Sequence, residues 1–190
     1  VAYNIHPGER ELATFPLFAL FAPALGMRAV IPAINFTKPG SANPAHLLQL
    51  IERDGVTSMF GSPALLKRLL PAVQPRDARL RSVQRAVSAG APVPIDTLTA
   101  LANALPETAQ VHTPYGATEA LPVTSIEARQ IIAAHSKVQG PSGVCVGRPA
   151  ANMDVRILPI SDTIQDDTAL EAVATGTIGE ITVAGPVVTH

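Results

Sequence analysis

The chain has 190 residues, 47% of them hydrophobic and 15% charged, with a net charge of −1. That balance suits one packed domain and excludes a disordered chain, and no block of like charge offers a footprint for nucleic acid or anionic lipid. A single cysteine, Cys145, excludes an internal disulfide and a cysteine-cluster metal site, so a reducing, cytoplasmic setting is the default expectation.

From the start, Leu12 to Ile34 is apolar enough to raise the question of a membrane span. Pro16, Pro23, Gly26, Arg28 and Pro32 interrupt it, so buried core elements are expected instead. Asn43-Pro44 reads as a helix N-cap with proline in the first turn, and Leu47, Leu48, Leu50 and Ile51 supply an apolar face up to Gly55. Val56 to Phe60 is a short buried strand. Ser62-Pro63 repeats the capped start for a helix carrying Leu65, Leu66, Leu69 and Leu70.

Val83 to Val87 is the next strand, followed by Ser88-Ala89-Gly90 and a helix from about Ile95 with Leu98, Leu101 and Leu105 on one side. Gln110-Val111-His112 is a further short strand that runs into a loop, Thr113 to Glu119. Thr124 and Glu127 have capping-box spacing, which predicts a helix from Ser125 that fades before Gly140. Beyond Gly143, Val155 to Leu158 and Gly179 to Val183 read as antiparallel strands around an acidic loop from Ser161 to Thr175. The expected fold is α/β: a mostly parallel sheet with flanking helices over 1–143, then a β-rich subdomain beginning at 144–190. The chain begins at Val1 without a start methionine and stops at His190 in a strand-like stretch, which reads as a portion of something longer.

Ligands of such sheets bind where loops leave the carboxyl ends of strands. Three successive loops qualify: Phe60 to Pro63, Ser88 to Pro92, and Thr113 to Glu119. Gly90 and Gly116 let backbone approach a flat ligand, Tyr115 offers a ring for stacking, Thr118 a hydroxyl, and Glu119 a carboxylate for a hard cation. The set fits a nucleotide triphosphate with magnesium. Other sites are weaker. Ser88 lacks the nucleophile elbow of a hydrolase, and no Gly-x-Gly-x-x-Gly follows a strand. Cys145 is expected as inert packing, His112 as a structural histidine and Ser62 as a cap, while His6, His46 and His135 have no ligand spacing.

Tyr115-Gly116-Ala117-Thr118-Glu119 after a short strand resembles the signature of the acyl-adenylate-forming superfamily, which includes acyl-CoA synthetases, luciferases and peptide-synthetase adenylation domains. Gly90-Ala91-Pro92, Val146-Gly147-Arg148-Pro149 and Gly179-Glu180-Ile181 resemble its other segments, in the same order. The resemblance implies ATP and Mg²⁺. Gly90, Ala91, Pro92, Thr113, Pro114, Tyr115, Gly116, Ala117 and Thr118 would bind the nucleotide, Tyr115 by stacking on adenine. Thr118 would contact the α-phosphate and Glu119 would hold the metal, the pair acting catalytically, while Phe60, Ala89 and Gly116 would border the acyl pocket. Thr113 stands where the family often has an acid or amide, so side-chain readout of the adenine amino group is not implied there.

Phe15-Pro16-Leu17-Phe18-Ala19, with alanine where many acyl-CoA synthetases have histidine, is similar to the olefin-biosynthesis β-lactone synthetases, as are residues 23–27 and 115–123. This implies a long-chain carboxylic acid, specifically a β-hydroxy acid, as substrate, and a pathway-enzyme complex as a possible partner. No nucleic acid or transmembrane segment is implied. A long-chain acyl-CoA or acyl-carrier ligase and a non-catalytic nucleotide-binding module are the alternatives. The family's phosphate loop, ribose-binding aspartate and C-terminal domain with its catalytic lysine have no counterpart among these residues, so the chain alone is expected to be inactive.

Overall fold

The computed structural model describes residues 3–135, 143–162 and 171–189. Strands β1 (Arg10–Leu12), β2 (Arg28–Val30), β3 (Ser58–Phe60), β4 (Arg85–Val87), β5 (Gln110–Ala117), β6 (Ala120–Glu127) and β7 (Arg148–Pro149) form one seven-stranded sheet in the order β2-β1-β3-β4-β5-β6-β7. The first five are parallel, and β6 and β7 are antiparallel additions. Strands β8 (Asp154–Leu158) and β9 (Glu180–Ala184) pair antiparallel in a second sheet. The expected class, a mostly parallel sheet with helices and a following antiparallel pair, is the one observed.

Local chemistry sets most helices. In α2 (Pro44–Asp54) the Asn43 side chain accepts from the Ala45 N–H, and Gly55 closes the helix in the left-handed region at φ 57°. In α3 (Pro63–Leu69) Ser62 accepts from the Leu65 N–H. Helix α4 (Ile95–Ala104) carries Asp96 in its first turn, where a negative charge suits the dipole.

Two expectations are corrected. Thr124 to Glu127 do not start a helix: they complete β6, paired with Tyr115 to His112 of β5. Thr124 Oγ1 donates to the Val146 carbonyl, and the Glu127 carboxylate accepts from the Arg129 N–H at the head of α5 (Ala128–His135). The polar spacing of a capping box thus serves a strand and the helix that follows it. The apolar stretch at 12–34 is not mainly core either. Its helix α1 (Pro16–Ala24) buries Ala22, whereas Leu17, Leu20, Phe21 and Leu25 are exposed. Among the described residues no helix is long and apolar enough to cross a membrane.

The two faces of the sheet differ. A register row of Leu12, Met59, Ala86 and Val111 crosses four strands and joins the main core with Leu47, Ile51, Leu65, Leu98 and Ile131 of α2 to α5. The adjoining row, Glu11, Ser58, Arg85 and Gln110, points to the opposite face by strand alternation. Right-handed crossovers put α1 on that face and α2 to α4 on the other, and the main core accordingly contains no residue of α1. The chain's direction across the sheet therefore reverses between β1 and β3. A smaller cluster of Ala120, Val123 and Met153, with Val155 and Val183 against it, ties the β5–β6 hairpin to the second sheet. The expected transition at Gly140 to Ser142 and most of the acidic loop lie outside the described residues.

Candidate functional site

The expected loop after His112 is a longer strand. β5 continues through Thr113, Pro114, Tyr115, Gly116 and Ala117, because β6 pairs with it far beyond the point where β4 ends opposite His112. Past His112 no strand among the described residues pairs with the other side of β5, which is where a proline without an N–H is tolerated. Thr118 and Glu119 form the tight turn into β6. The turn is held from outside: the Thr189 N–H donates to the Glu119 carbonyl at 2.8 Å.

On the helix-covered side, Gly90, Ala91, Pro92, Thr113, Pro114, Tyr115 and Gly116 come together around one cleft of about 310 Å³. Val93, Leu98, Ile131 and Val146 make its apolar floor and flank. Gly90 has φ +91° with open space where a Cβ would stand, so backbone alone forms that wall. Tyr115 is 39% exposed, a ring free to cover a ligand. Gly116 is required for another reason: a Cβ there would stand 2.3 Å from the Ala120 carbonyl oxygen across the hairpin. Cys145 departs from expectation. It is exposed and borders this cleft instead of packing inside the core.

Ala117, Thr118 and Glu119 lie beyond the cleft, on the hairpin tip. Among the described residues no three His, Cys, Asp or Glu side chains gather to hold a metal. Glu119 therefore offers one carboxylate, which suits a magnesium ion that takes most of its oxygens from phosphates and water. An open glycine wall opposite an exposed aromatic ring suits a flat base. The residues present fit both groups.

Phe60 and Ala89 do not line this cleft. Phe60 lies on the opposite face, where its ring stacks on Phe18 of α1 at 4.8 Å between centroids, with Phe15 at 6.2 Å. The Thr14 hydroxyl donates to the Phe60 carbonyl at 2.6 Å and fixes the end of β1 to the end of β3. This aromatic cluster occupies the carboxyl ends of the two strands between which the chain reverses direction, the usual ligand position in open α/β sheets. Leu17, Leu20 and Phe21 extend it as exposed apolar surface. Sequence reasoning missed Thr14 as a tie, because nothing local marks a threonine for a bond made 46 residues away.

On the same face as Phe60 lies a buried polar band. Arg85 bonds the Glu9 carboxylate at 2.6 Å and the Asn4 carbonyl at 3.0 Å. Burial works to raise the Glu9 pKa, but the hydrogen bonds from Arg85 and His6 outweigh it and hold the carboxyl below its usual range. Glu11 has no such cation to itself, and burial pushes it up to about 7. His112 packs its ring against Tyr3 at 5.0 Å, and burial lowers its pKa.

Comparison with known proteins follows the same outline. A family model described as AMP-binding enzyme matches residues 13–190. The chain is 46% identical over 189 residues to the olefin β-lactone synthetase of Xanthomonas campestris pv. campestris, covering 99% of this chain and 33% of that protein. It is 32% identical over 192 residues to a feruloyl-CoA synthase of an Amycolatopsis species, covering 98% of this chain and 34% of that protein. Among solved structures, O-succinylbenzoate coenzyme A synthetase from Bacillus subtilis, in complex with ATP and magnesium ion, matches with a TM-score of 0.69 at 22% identity, over 98% of this chain and 34% of that one. The N-terminal domain of FACL13 from Mycobacterium tuberculosis matches with a TM-score of 0.69 at 17% identity, over 98% and 43%. The chain thus spans about a third of the length of the olefin β-lactone synthetases it resembles. With the family model running over nearly its whole length, the chain belongs to the AMP-binding enzyme family.

Proposed function

We propose that this chain forms the base-binding and part of the acyl-binding region of an ATP-dependent, acyl-adenylate-forming enzyme whose substrate is a long-chain β-hydroxy acid. The observation that supports it is the convergence of Gly90 to Pro92 and Thr113 to Gly116 on one cleft, two residues before the Thr118-Glu119 turn. Tyr115 would cover the adenine, and the Gly90 to Pro92 backbone would face it. Thr118 would donate its hydroxyl to an α-phosphate oxygen, and Glu119 would orient magnesium. The metal, when bound, neutralises charge on the phosphates.

In the first half-reaction a carboxylate oxygen attacks the α-phosphorus and pyrophosphate leaves with the bonding pair. In the second, the β-hydroxyl oxygen attacks the acyl carbon, its proton is lost to solvent, and AMP leaves to close a four-membered lactone. Likeness to a protein named olefin β-lactone synthetase favours this second step. Ala19 and the exposed apolar side chains of α1 suit an alkyl chain beside Phe60. The likeness to feruloyl-CoA synthase favours a thioester-forming alternative with the same first step.

The test uses the full-length protein with ATP, magnesium and a long-chain β-hydroxy acid. AMP and lactone formed without coenzyme A are expected; strict dependence on a thiol acceptor would remove the lactone reading. Glu119→Ala is expected to lose magnesium-dependent pyrophosphate exchange, and unchanged exchange would refute the metal role.

A further inference from the structure

Ser88 follows β4, and its backbone N–H donates to the His112 carbonyl at 2.9 Å, which fixes its place on the sheet. Strand alternation from Ala86 turns its side chain toward the helix-covered face, and the residue is 1% exposed. Among the described residues its hydroxyl has no hydrogen-bond partner. The other such buried atom among the described residues is Arg85 Nε, whose guanidinium is otherwise bonded to Glu9 and Asn4. Ser88 is therefore the residue whose entire side-chain polarity is buried and unused. Native structures seldom keep such a group without a ligand or water to satisfy it.

Its position says which ligand. Ser88 belongs to the wall of the cleft between the Gly90 to Pro92 turn and Tyr115. Around it Val93, Leu98 and Ile131 offer no polar atom from their side chains. Thr113, the neighbouring hydroxyl in the same cleft, is already engaged, donating to the Ile126 carbonyl at 3.4 Å. A flat base slid between Tyr115 and the glycine turn would bring its edge toward this wall and the Ser88 hydroxyl in it.

We propose that the Ser88 hydroxyl reads the base. It accepts a hydrogen bond from the exocyclic amino group of the adenine, directly or through one ordered water, and so performs the readout that Thr113 does not. This rests on the nucleotide reading of the cleft.

The experiment compares equilibrium binding of ATP with that of purine riboside triphosphate, which has the same ribose and phosphates but no exocyclic amino group. Full-length wild type, Ser88→Ala and Ser88→Cys are used. Wild type is expected to favour ATP about tenfold, the usual size of one buried hydrogen bond. In Ser88→Ala the two nucleotides bind alike, with affinity for the deaminated analogue unchanged; Ser88→Cys, close in volume but a weak hydrogen-bonding group, falls between. The unliganded Ser88→Ala protein melts no lower than wild type, because the hydroxyl has no internal partner to lose. Full wild-type discrimination in Ser88→Ala, or a lower melting temperature with discrimination intact, would overturn the proposal. Wild type binding ATP and the analogue equally would also overturn it while leaving the nucleotide site in place. Wild type binding neither would remove the nucleotide reading itself.

Discussion

The Arg85 guanidinium and the Glu9 carboxylate meet at 2.6 Å with side chains only 6% and 8% exposed, so one buried ion pair clamps the segment before β1 to the centre of the sheet. Removing one partner strands the other charge away from water. Glu9→Ala is expected to cost about 3–5 kcal/mol, whereas the double variant Glu9→Leu/Arg85→Met stays within about 1–2 kcal/mol of wild type. Urea unfolding of both decides it; equal losses in single and double variants would contradict the prediction.

Glu11, two residues further on and inside β1, gives the molecule a pH dependence of definite sign. Its folded pKa of about 7 lies above the ordinary 4.5, chiefly through burial, with Ser58 and the Phe60 backbone only partly offsetting it. The stability this group confers is full below the unfolded value and is lost as pH rises from about 4.5 to about 7. Glu11→Gln cannot ionise. It should flatten that part of the stability curve and leave the variant more stable than wild type above neutrality, by roughly 3 kcal/mol at most. Parallel pH titrations of the melting temperature would reveal the difference, and superimposable curves would refute it.

Three glycines around the site should rank in their tolerance of alanine. Gly90 has positive φ but open space, so Gly90→Ala costs about 1–2 kcal/mol. Gly116 would drive a Cβ to 2.3 Å from the Ala120 carbonyl, and overpacking of that kind costs about 1–3 kcal/mol together with opening of the hairpin. Gly147 combines φ +87° with a Cβ position 2.3 Å from the Ser125 carbonyl, and should suffer most. Denaturation midpoints in any other order would count against these causes.

Phe18 stacked on Phe60 should matter for the acid and not for the nucleotide. In the full-length enzyme, Phe18→Ala is expected to raise KM for long-chain acids about tenfold, the equivalent of ~1.4 kcal/mol of lost apolar contact, with KM for ATP unchanged. Steady-state kinetics across acids of increasing length measure this. An effect on ATP alone would move the acyl site elsewhere.

The sequence was most legible where neighbours decide the outcome. Asn43-Pro44 with Gly55, and Ser62-Pro63, announce α2 and α3 because caps and prolines act within one helical turn. It was least legible at Thr124 to Glu127, where capping-box spacing is equally compatible with a strand, and pairing with β5 settles the matter. The apolar run at 12–34 misled for a related reason: composition registers how apolar Leu17 and Leu20 are, not which neighbour covers them. Gly90 to Pro92 and Thr113 to Gly116 could be joined in advance, since successive β-α units bring successive strand ends side by side. Ser88 was visible only as an unsuitable nucleophile, because the lack of a partner is a property of packing.

The bond from the Thr189 N–H to the Glu119 carbonyl, beside the bridge from Ala120 to Val188, has a mechanical meaning. It anchors the hairpin tip through the main chain while leaving the carboxylate arm of Glu119 free to swing. A cation taken up there would be gripped by a moving arm on a fixed pivot. Any pull on the segment leading from β9 would reach that pivot through the Thr189 amide and hydroxyl and the neighbouring bridge.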